Sequence, residues 1–196
     1  MKYLGYLVLF ALLIGCNSQD SISGDDFFED EEYVEAINAY SSYLETHPDH
    51  IKSLYNRGRS YEEVGEADKA IKDFEKIIEL DPKNISAYLS LAKISYNISE
   101  YNKVLIFTGR AIDLNENSAQ AHFLAGRASH QLGYLDQALE SYDNAITINR
   151  DFGEAYLYRG AVKVGKERMS SACEDFKFAK SLKVPEANGA IKEYCK

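Results

Sequence analysis

The chain has 196 residues, of which 22 are lysine or arginine and 31 are aspartate or glutamate, so its formal net charge is −9 at pH 7. This length is ample for one elongated domain. The acidic balance excludes nucleic acid and anionic lipid surfaces as general partners, because both require a cationic protein surface.

The chain begins with a short apolar segment. Met1 and Lys2 precede residues 3–15, which are apolar apart from tyrosines and are too few to span a bilayer as an ordinary transmembrane helix. The segment 1–15 is therefore predicted to be a targeting signal. Leu13-Ile14-Gly15-Cys16 resembles the lipobox of bacterial lipoprotein signal peptides. That resemblance implies cleavage before Cys16, a diacylglyceryl thioether on its sulfur, and stable anchoring through acyl chains such as palmitate. The alternative is an ordinary secretory signal with an incidental cysteine.

An acidic segment follows Cys16. Seven carboxylates and no lysine or arginine occur between residues 17 and 32: Asp20, Asp25, Asp26, Glu29, Asp30, Glu31 and Glu32. Such a run predicts a solvated tether over residues 16–30 that holds the rest of the chain off the membrane. It also loosely resembles surface-export signals of some Gram-negative lipoproteins. Without residues 1–15 the chain keeps 21 of its 22 basic residues and all 31 acidic ones, a charge of −10.

Beyond the acidic segment the sequence repeats itself at a constant interval, in units that start at Ile51, Ile85, Ala119 and Gly153. The eighth column of these units holds only small residues: Gly58, Ala92, Gly126 and Gly160. Small residues that recur in step indicate that two elements pack closely at the same point of every unit. A period of about 34 residues is typical of a solenoid of helical hairpins.

The residues between these columns resemble the tetratricopeptide repeat family. The unit that starts at Ile51 carries nearly the whole motif, in Leu54, Gly58, Tyr61, Ala70, Phe74 and Pro82. The resemblance implies an all-α, right-handed superhelical solenoid over residues 31–183. We divide it into a half repeat (31–50) and the repeats 51–84, 85–118, 119–152 and 153–183. Only the second half of the first unit is recognisable, because residues 17–30 are too acidic for a convincing packed helix.

In this family the first helix of each hairpin lines a concave groove, and the second, fifth, ninth, twelfth and thirteenth positions face the ligand. Carried onto this chain, the resemblance gives these candidate binding residues: Lys52, Tyr55, Arg59, Lys93, Tyr96, Asn97, Phe123, Arg127 and Gln131. The ninth position places one cation in each of three neighbouring hairpins, at Arg59, Lys93 and Arg127. Cations beside aromatic rings favour an acidic or carboxylate-ended peptide. The alternative is that these cations pair with neighbouring acids and solvate the face. The pattern departs from the carboxylate clamp of the family.

Residues 184–196 are predicted to form a capping helix, because Ala187, Ala190, Ile191 and Tyr194 make an amphipathic stripe. This helix would bring Cys195 near Cys173 on the last hairpin. In an exported protein the two cysteines can form a disulfide. A similar terminal arrangement occurs in some bacterial tetratricopeptide proteins. The alternative is a pair of buried thiols that pack as small hydrophobic groups.

The sequence contains no motif of an enzyme, metal site or cofactor site. A glycine-rich phosphate loop, a nucleophile elbow and an HExxH motif are absent, and His47 and His50 flank a turn without further ligands. We therefore predict a non-enzymatic, lipid-anchored scaffold of the bacterial envelope, in the outer membrane and facing the periplasm or the surface. It would bind other envelope proteins or peptides, with acidic segments as candidates. The alternatives are capture of a glycan or small ligand, and a redox enzyme that uses Cys173 and Cys195.

Overall fold

The computed structural model describes residues 19–195. Within this range it contains eleven α-helices and no β-strand: α1 Gln19–Glu29, α2 Tyr33–Thr46, α3 Ile51–Glu63, α4 Ala67–Leu80, α5 Ile85–Asn97, α6 Tyr101–Leu114, α7 Ala119–Gln131, α8 Leu135–Ile148, α9 Gly153–Gly165, α10 Met169–Ser181 and α11 Ala187–Tyr194. Consecutive helices form five antiparallel hairpins that stack in chain order, and α11 follows them. The predicted all-α solenoid is confirmed. The targeting signal 1–15 and Cys16 lie outside the described residues.

Polar residues at a fixed place in the period start the first helix of three hairpins. The side chains of Asn84 and Ser118 accept hydrogen bonds from the backbone N–H groups of Ala87 and Ala121, at 3.0 and 3.3 Å. His50 caps α3 in the same way, through Nδ1 and the N–H of Ser53. Each cap satisfies one of the N–H groups that a helix start leaves without a partner. The turn containing His47 and His50 is thus part of the helix start of α3.

The turn inside each hairpin contains one residue in the left-handed region of the backbone. These residues recur once in every repeat: Glu31, Gly65, Ser99, Gly133 and Glu167, with φ between 57° and 79°. Glycine adopts this conformation at no steric cost, which explains Gly65 and Gly133. The other three turns hold Glu31, Ser99 and Glu167, which tolerate a positive φ less well than glycine. These turns are therefore not evident from the amino-acid composition. The same turn recurs at Glu31, before the repeats that the sequence makes obvious.

The two helices of a hairpin meet where a small residue faces a ring. A Cβ atom added to Gly126 would lie 2.7 Å from the ring of Tyr142, and one added to Gly160 would lie 2.5 Å from the ring of Phe176. Gly58 faces Phe74 in the same way. All three rings are almost completely buried. The column of small residues therefore exists because a side chain at these glycines would collide with the ring of the partner helix.

The first hairpin is complete, which corrects two predictions: the solvated tether over 16–30, as far as residues 19–30 are concerned, and the half repeat over 31–50. α1 packs along α2, with Gly24 against Tyr40: an added Cβ would lie 2.7 Å from the Tyr40 ring. Gly24 stands one full repeat before Gly58 and extends the column of small residues. The acidic composition does not prevent this packing, because Asp26, Glu29 and Asp30 are exposed. Asp25 is held by hydrogen bonds from α2 and α3.

Partly buried ion pairs join the two helices of the second and fifth hairpins. Nε and Nη2 of Arg57 donate to the carboxylate of Asp73 at 2.8 and 2.6 Å, and Arg159 holds Asp175 in the same way at 2.9 and 2.6 Å. Two parallel hydrogen bonds are the strongest geometry available to this pair. Burial alone would lower the pKa of Arg159, but the hydrogen bonds to Asp175 and Asp143 raise it, so the guanidinium stays charged.

The C-terminal end is covered by α11. Ala187, its first residue, is buried and stands one full repeat after Gly153, so α11 takes the place of the first helix of a further hairpin. Tyr194 occupies the column of small residues, and its ring lies 6.1 Å from that of Phe176. A disulfide joins Cys195, at the end of α11, to Cys173 on α10. Among residues 19–195 no helix combines the length and apolarity needed to cross a bilayer.

Candidate functional site

The first helices of the hairpins form the inner side of the solenoid. Within the described chain α1 packs on α3, α5 on α7 and α7 on α9, whereas no two second helices pack to a similar extent. In a curved stack the elements on the inner side approach one another most closely. We call the surface formed by α1, α3, α5, α7 and α9 the concave surface.

A pocket of about 190 Å³ lies on the concave surface between α3, α5 and α7. Three of the predicted binding residues line it: Tyr55, Arg59 and Lys93. Leu89 and Leu124 add apolar surface, and the polar side chains are Glu62, Ser86, Ser90 and Gln120. A neighbouring pocket of about 240 Å³ contains Lys93 and the predicted Asn97 together with Glu62 and Glu63. Glu62 and Lys93 therefore belong to both pockets.

Two of the three cations predicted at the ninth position are paired with acids. Nζ of Lys93 lies 3.2 Å from Oε1 of Glu62, and Nε of Arg59 lies 3.2 Å from Oε2 of the same carboxylate. The second contact is not aligned as a hydrogen bond, since both of its atoms are buried without one. Burial raises the pKa of Glu62, and Lys93 and Arg59 oppose this shift. The alternative that the sequence left open, pairing with neighbouring acids, describes Arg59 and Lys93.

Arg127 has a different environment. Its guanidinium carbon lies 3.9 Å from the ring centroid of Tyr96, 5.1 Å from that of Tyr158 and 5.8 Å from that of Phe123. No acidic side chain pairs with it anywhere in residues 23–195. A cation against several ring faces is held by the ring electrons and keeps its charge. Arg127 is the predicted groove cation whose charge is not neutralised by an ion pair in this part of the chain.

The remaining predicted residues have mostly supporting positions. Phe123 is only 6% exposed, because Phe152 packs on it with ring centroids 4.6 Å apart, so it belongs to the core under Arg127. Nε2 of Gln131 donates to the hydroxyl of Tyr96 at 3.3 Å and orients that ring. Lys52 lies at the N-terminal end of the concave surface, where it pairs with Asp25.

Sequence reasoning missed Asp25 and Tyr158 on this surface, and Tyr142, which is buried beneath it on α8. Asp25 stands one full repeat before Arg59, so the ninth position of the repeat contained the signal. Tyr142 stands two repeats after Phe74, in the same packing column, and Tyr158 directly follows Leu157, the fifth position of the unit that starts at Gly153. Elsewhere in the described range, no group of three or more histidine, cysteine or acidic side chains is arranged to hold a metal ion.

Comparison with known proteins identifies the repeats. Residues 51–84 and residues 119–152 each match a family described as tetratricopeptide repeat. These two segments are tetratricopeptide repeats. Repeats of this kind bind peptides or proteins, and proteins built from them are typically non-enzymatic scaffolds. The fold is thus that of a protein-interaction scaffold. No curated protein gives a significant match to the chain.

Solved structures of tetratricopeptide repeat proteins share the fold. A crystal structure of MamA is 29% identical to the chain, with a TM-score of 0.76, and the match covers 84% of this chain and 96% of that one. MamA from Desulfovibrio magneticus RS-1 is 18% identical, with a TM-score of 0.78 and coverage of 85% and 96%. YrrB, described as a protein with an unusual peptide-binding site, is 22% identical, with a TM-score of 0.73 and coverage of 88% and 90%.

Proposed function

We propose that the protein is a lipid-anchored scaffold of the bacterial envelope that binds an extended segment of another envelope protein on its concave surface. The observation that carries this proposal is the pocket between α3, α5 and α7. It exists only when three successive hairpins are stacked, so the repeat architecture itself creates it. Its volume of about 190 Å³ is below the range of roughly 300–1,000 Å³ that is usual for small-molecule sites. Its size and mixed lining suit single side chains of a segment that crosses several repeats.

The anchor would lie close to the solenoid. If Cys16 carries the lipid, only Asn17 and Ser18 separate it from the start of α1 at Gln19. Three residue steps span at most about 10 Å of extended chain. The first hairpin would then lie next to the bilayer of the outer membrane, and the concave surface would face the periplasm or the cell exterior. This arrangement suits the capture of a partner that lies in or on the same membrane.

The concave surface, as described over residues 23–195, does not favour glycan capture. A sugar stacks on the free face of an aromatic ring, but the guanidinium of Arg127 lies 3.9 Å from the ring centroid of Tyr96 and covers that face. The Tyr55 ring, which borders the pocket, has its neighbour Phe74 packed against it at 5.5 Å. Protein segments combine hydrogen-bonding groups with apolar side chains, which suits the mixed lining of the pocket better.

Photocrosslinking in native membranes tests the proposal. A photoreactive residue replaces Ser86, which is exposed and lines the pocket, and in a matched variant it replaces Lys72, which is exposed on α4. We expect one envelope protein to be captured at Ser86 and not at Lys72. Cys16→Ala should release the protein from the membrane fraction and abolish labelling with an alkyne-tagged fatty acid. Equal capture at both positions would place the interaction outside the groove.

A further inference from the structure

The ninth position of the hairpins carries a charged residue in four of the five. These residues are Asp25, Arg59, Lys93 and Arg127. The first three each have an oppositely charged partner, Lys52 for Asp25 and Glu62 for the other two. Arg127 has no such partner in the described part of the chain. Because an arginine stays protonated at every physiological pH, Arg127 brings an unpaired positive charge to the concave surface.

The first hairpin shows how the same place is arranged when an acid is present. The carboxylate of Asp25 accepts hydrogen bonds from the hydroxyl of Tyr40 at 2.7 Å and from Nδ2 of Asn56 at 2.9 Å, and Lys52 pairs with it. Tyr40 lies on the second helix of the same hairpin, and Asn56 lies on the first helix of the next one. The network thus joins the ninth position of one hairpin to its own second helix and to the next hairpin.

The fourth hairpin repeats this arrangement without the carboxylate. Arg127 stands three repeats after Asp25, Tyr142 three repeats after Tyr40, and Tyr158 three repeats after Asn56. The two tyrosines therefore surround Arg127 as Tyr40 and Asn56 surround Asp25. The hydroxyl of Tyr142 and Nε of Arg127 are buried donors that have no acceptor among residues 23–195. Burial raises the pKa of Tyr142, so its hydroxyl keeps the proton that it can donate. A buried donor without an acceptor costs free energy, and a bound acceptor removes that cost.

The rings around Arg127 fix the direction from which an acceptor can approach. Tyr96 and Tyr158 contact the guanidinium, with ring centroids 3.9 and 5.1 Å from its carbon atom. A guanidinium that lies on a ring face presents its N–H groups at its edge. Two parallel N–H groups at that edge match the two oxygens of a carboxylate.

We propose that Arg127, together with Tyr96 and Tyr142, receives the carboxylate of an acidic side chain from the protein segment bound on the concave surface. The inference rests on the proposed function and names the chemistry of its ligand. The concave surface continues past Arg127 in both directions, to Lys93 on α5 and to Leu157 on α9. A passing chain therefore fits better than a chain end. Leu157, Ala161 and Val164 are partly or fully exposed on α9. We therefore expect the bound segment to carry an apolar residue beside its acidic one.

Peptide selection against the purified full-length protein tests this proposal. One random library joins the peptides to their carrier through their C-termini, and a second presents free C-termini. We expect the first library to yield peptides with aspartate or glutamate beside an apolar residue. For such a peptide, synthesised with an amidated C-terminus, Arg127→Gln should weaken binding about tenfold or more, and Tyr142→Phe about two- to tenfold. The matched control is Arg110→Gln, an exposed arginine on α6, which should leave the affinity within about twofold.

The outcomes separate this proposal from the proposed function. Selected peptides without acidic residues, or equal affinity for the protein and Arg127→Gln, would overturn the acidic-side-chain site and leave peptide binding on the concave surface standing. If only the library with free C-termini yields binders, the ligand of Arg127 is a C-terminal carboxylate and the acidic-side-chain proposal is wrong. If neither library yields a binder, the proposed function fails and this inference fails with it. A loss of stability in Tyr142→Phe, measured without peptide, would show that its hydroxyl has a structural role instead.

Discussion

The hydroxyl of Tyr40 donates a hydrogen bond of 2.7 Å to the carboxylate of Asp25. Tyr142 occupies the same place three repeats later, and its hydroxyl has no partner among the residues that the structure describes. Both rings are fully buried, and each lies against a glycine, Gly24 or Gly126, with an added Cβ at 2.7 Å. The two tyrosines therefore differ mainly in what their hydroxyl groups meet, which makes them an internal comparison.

Removing the two hydroxyl groups should change the stability of the protein differently. Tyr40→Phe takes a charge-assisted hydrogen bond from Asp25 and should lower the free energy of unfolding by about 1–3 kcal/mol. Tyr142→Phe removes a buried donor that has no acceptor, so stability should stay the same or rise slightly. Urea unfolding followed by far-UV circular dichroism measures both variants. Similar losses in the two variants would mean that the loss comes from removing a buried hydroxyl as such, and not from the hydrogen bond to Asp25.

The packing of α1 can be tested at Gly24. Gly24→Ala places a methyl group 2.7 Å from the ring of Tyr40, so we expect a loss of about 1–3 kcal/mol from overpacking. The control is Gly109→Ala in α6, where an added Cβ meets nothing within 4 Å. There the higher helix propensity of alanine should stabilise the protein by up to about 1 kcal/mol. Equal effects of both changes on the thermal midpoint would contradict a packed α1.

The sequence predicts the hairpins well where packing leaves a periodic mark. Gly58, Gly126 and Gly160 must be small because a ring from the second helix fills their place, so the sequence records the contact directly. The first hairpin carries the same mark in Gly24 and Tyr40. The acidic composition of residues 17–32 nevertheless led to the prediction of a tether in place of a packed helix. Charges on the exposed side of a helix do not oppose its packing.

The candidate site is less predictable, because it depends on side-chain pairing across neighbouring helices. Three of the groove positions, Tyr55, Arg59 and Lys93, line one pocket in the structure. They do not reveal that Glu62 lies between the two cations, since that requires the conformations of side chains from α3 and α5 together. They also assign Phe123 to the surface, whereas Phe152, from the loop before α9, covers it.

The stability contribution of Asp25 should depend on pH. Burial alone would raise the pKa of Asp25, but hydrogen bonds from Lys52, Tyr40 and Asn56 outweigh it, and the pKa lies below the ordinary value of 3.8. A lowered pKa in the folded state means that the unfolded chain takes up the proton first as the pH falls. The stabilisation is therefore complete at pH values above the pKa of Asp25 in the unfolded chain. It is lost as the pH falls through the lower pKa of Asp25 in the folded protein.

Thermal unfolding between neutral pH and strongly acidic pH tests this dependence. The difference in midpoint between the protein and Asp25→Asn should stay constant down to about pH 5 and shrink below about pH 4. The neighbouring change Asp26→Asn is the control, because Asp26 is exposed and should leave the midpoint unaltered. A difference that grows on acidification would mean that Asp25 is not the hydrogen-bonded carboxylate that the structure shows.

The disulfide between Cys173 and Cys195 should stabilise the end of the solenoid without taking part in binding. The two residues are 22 apart, and closing a loop of this length stabilises by about 3 kcal/mol in the chain-entropy model. Cys173→Ser with Cys195→Ser should lower the free energy of unfolding by up to that amount, and reduction of the unaltered protein should match it. Because α11 packs mainly on α10, hydrogen exchange should accelerate in α11 first. Crosslinking from Ser86 should be unchanged in the double serine variant, and its loss would show that binding requires the disulfide.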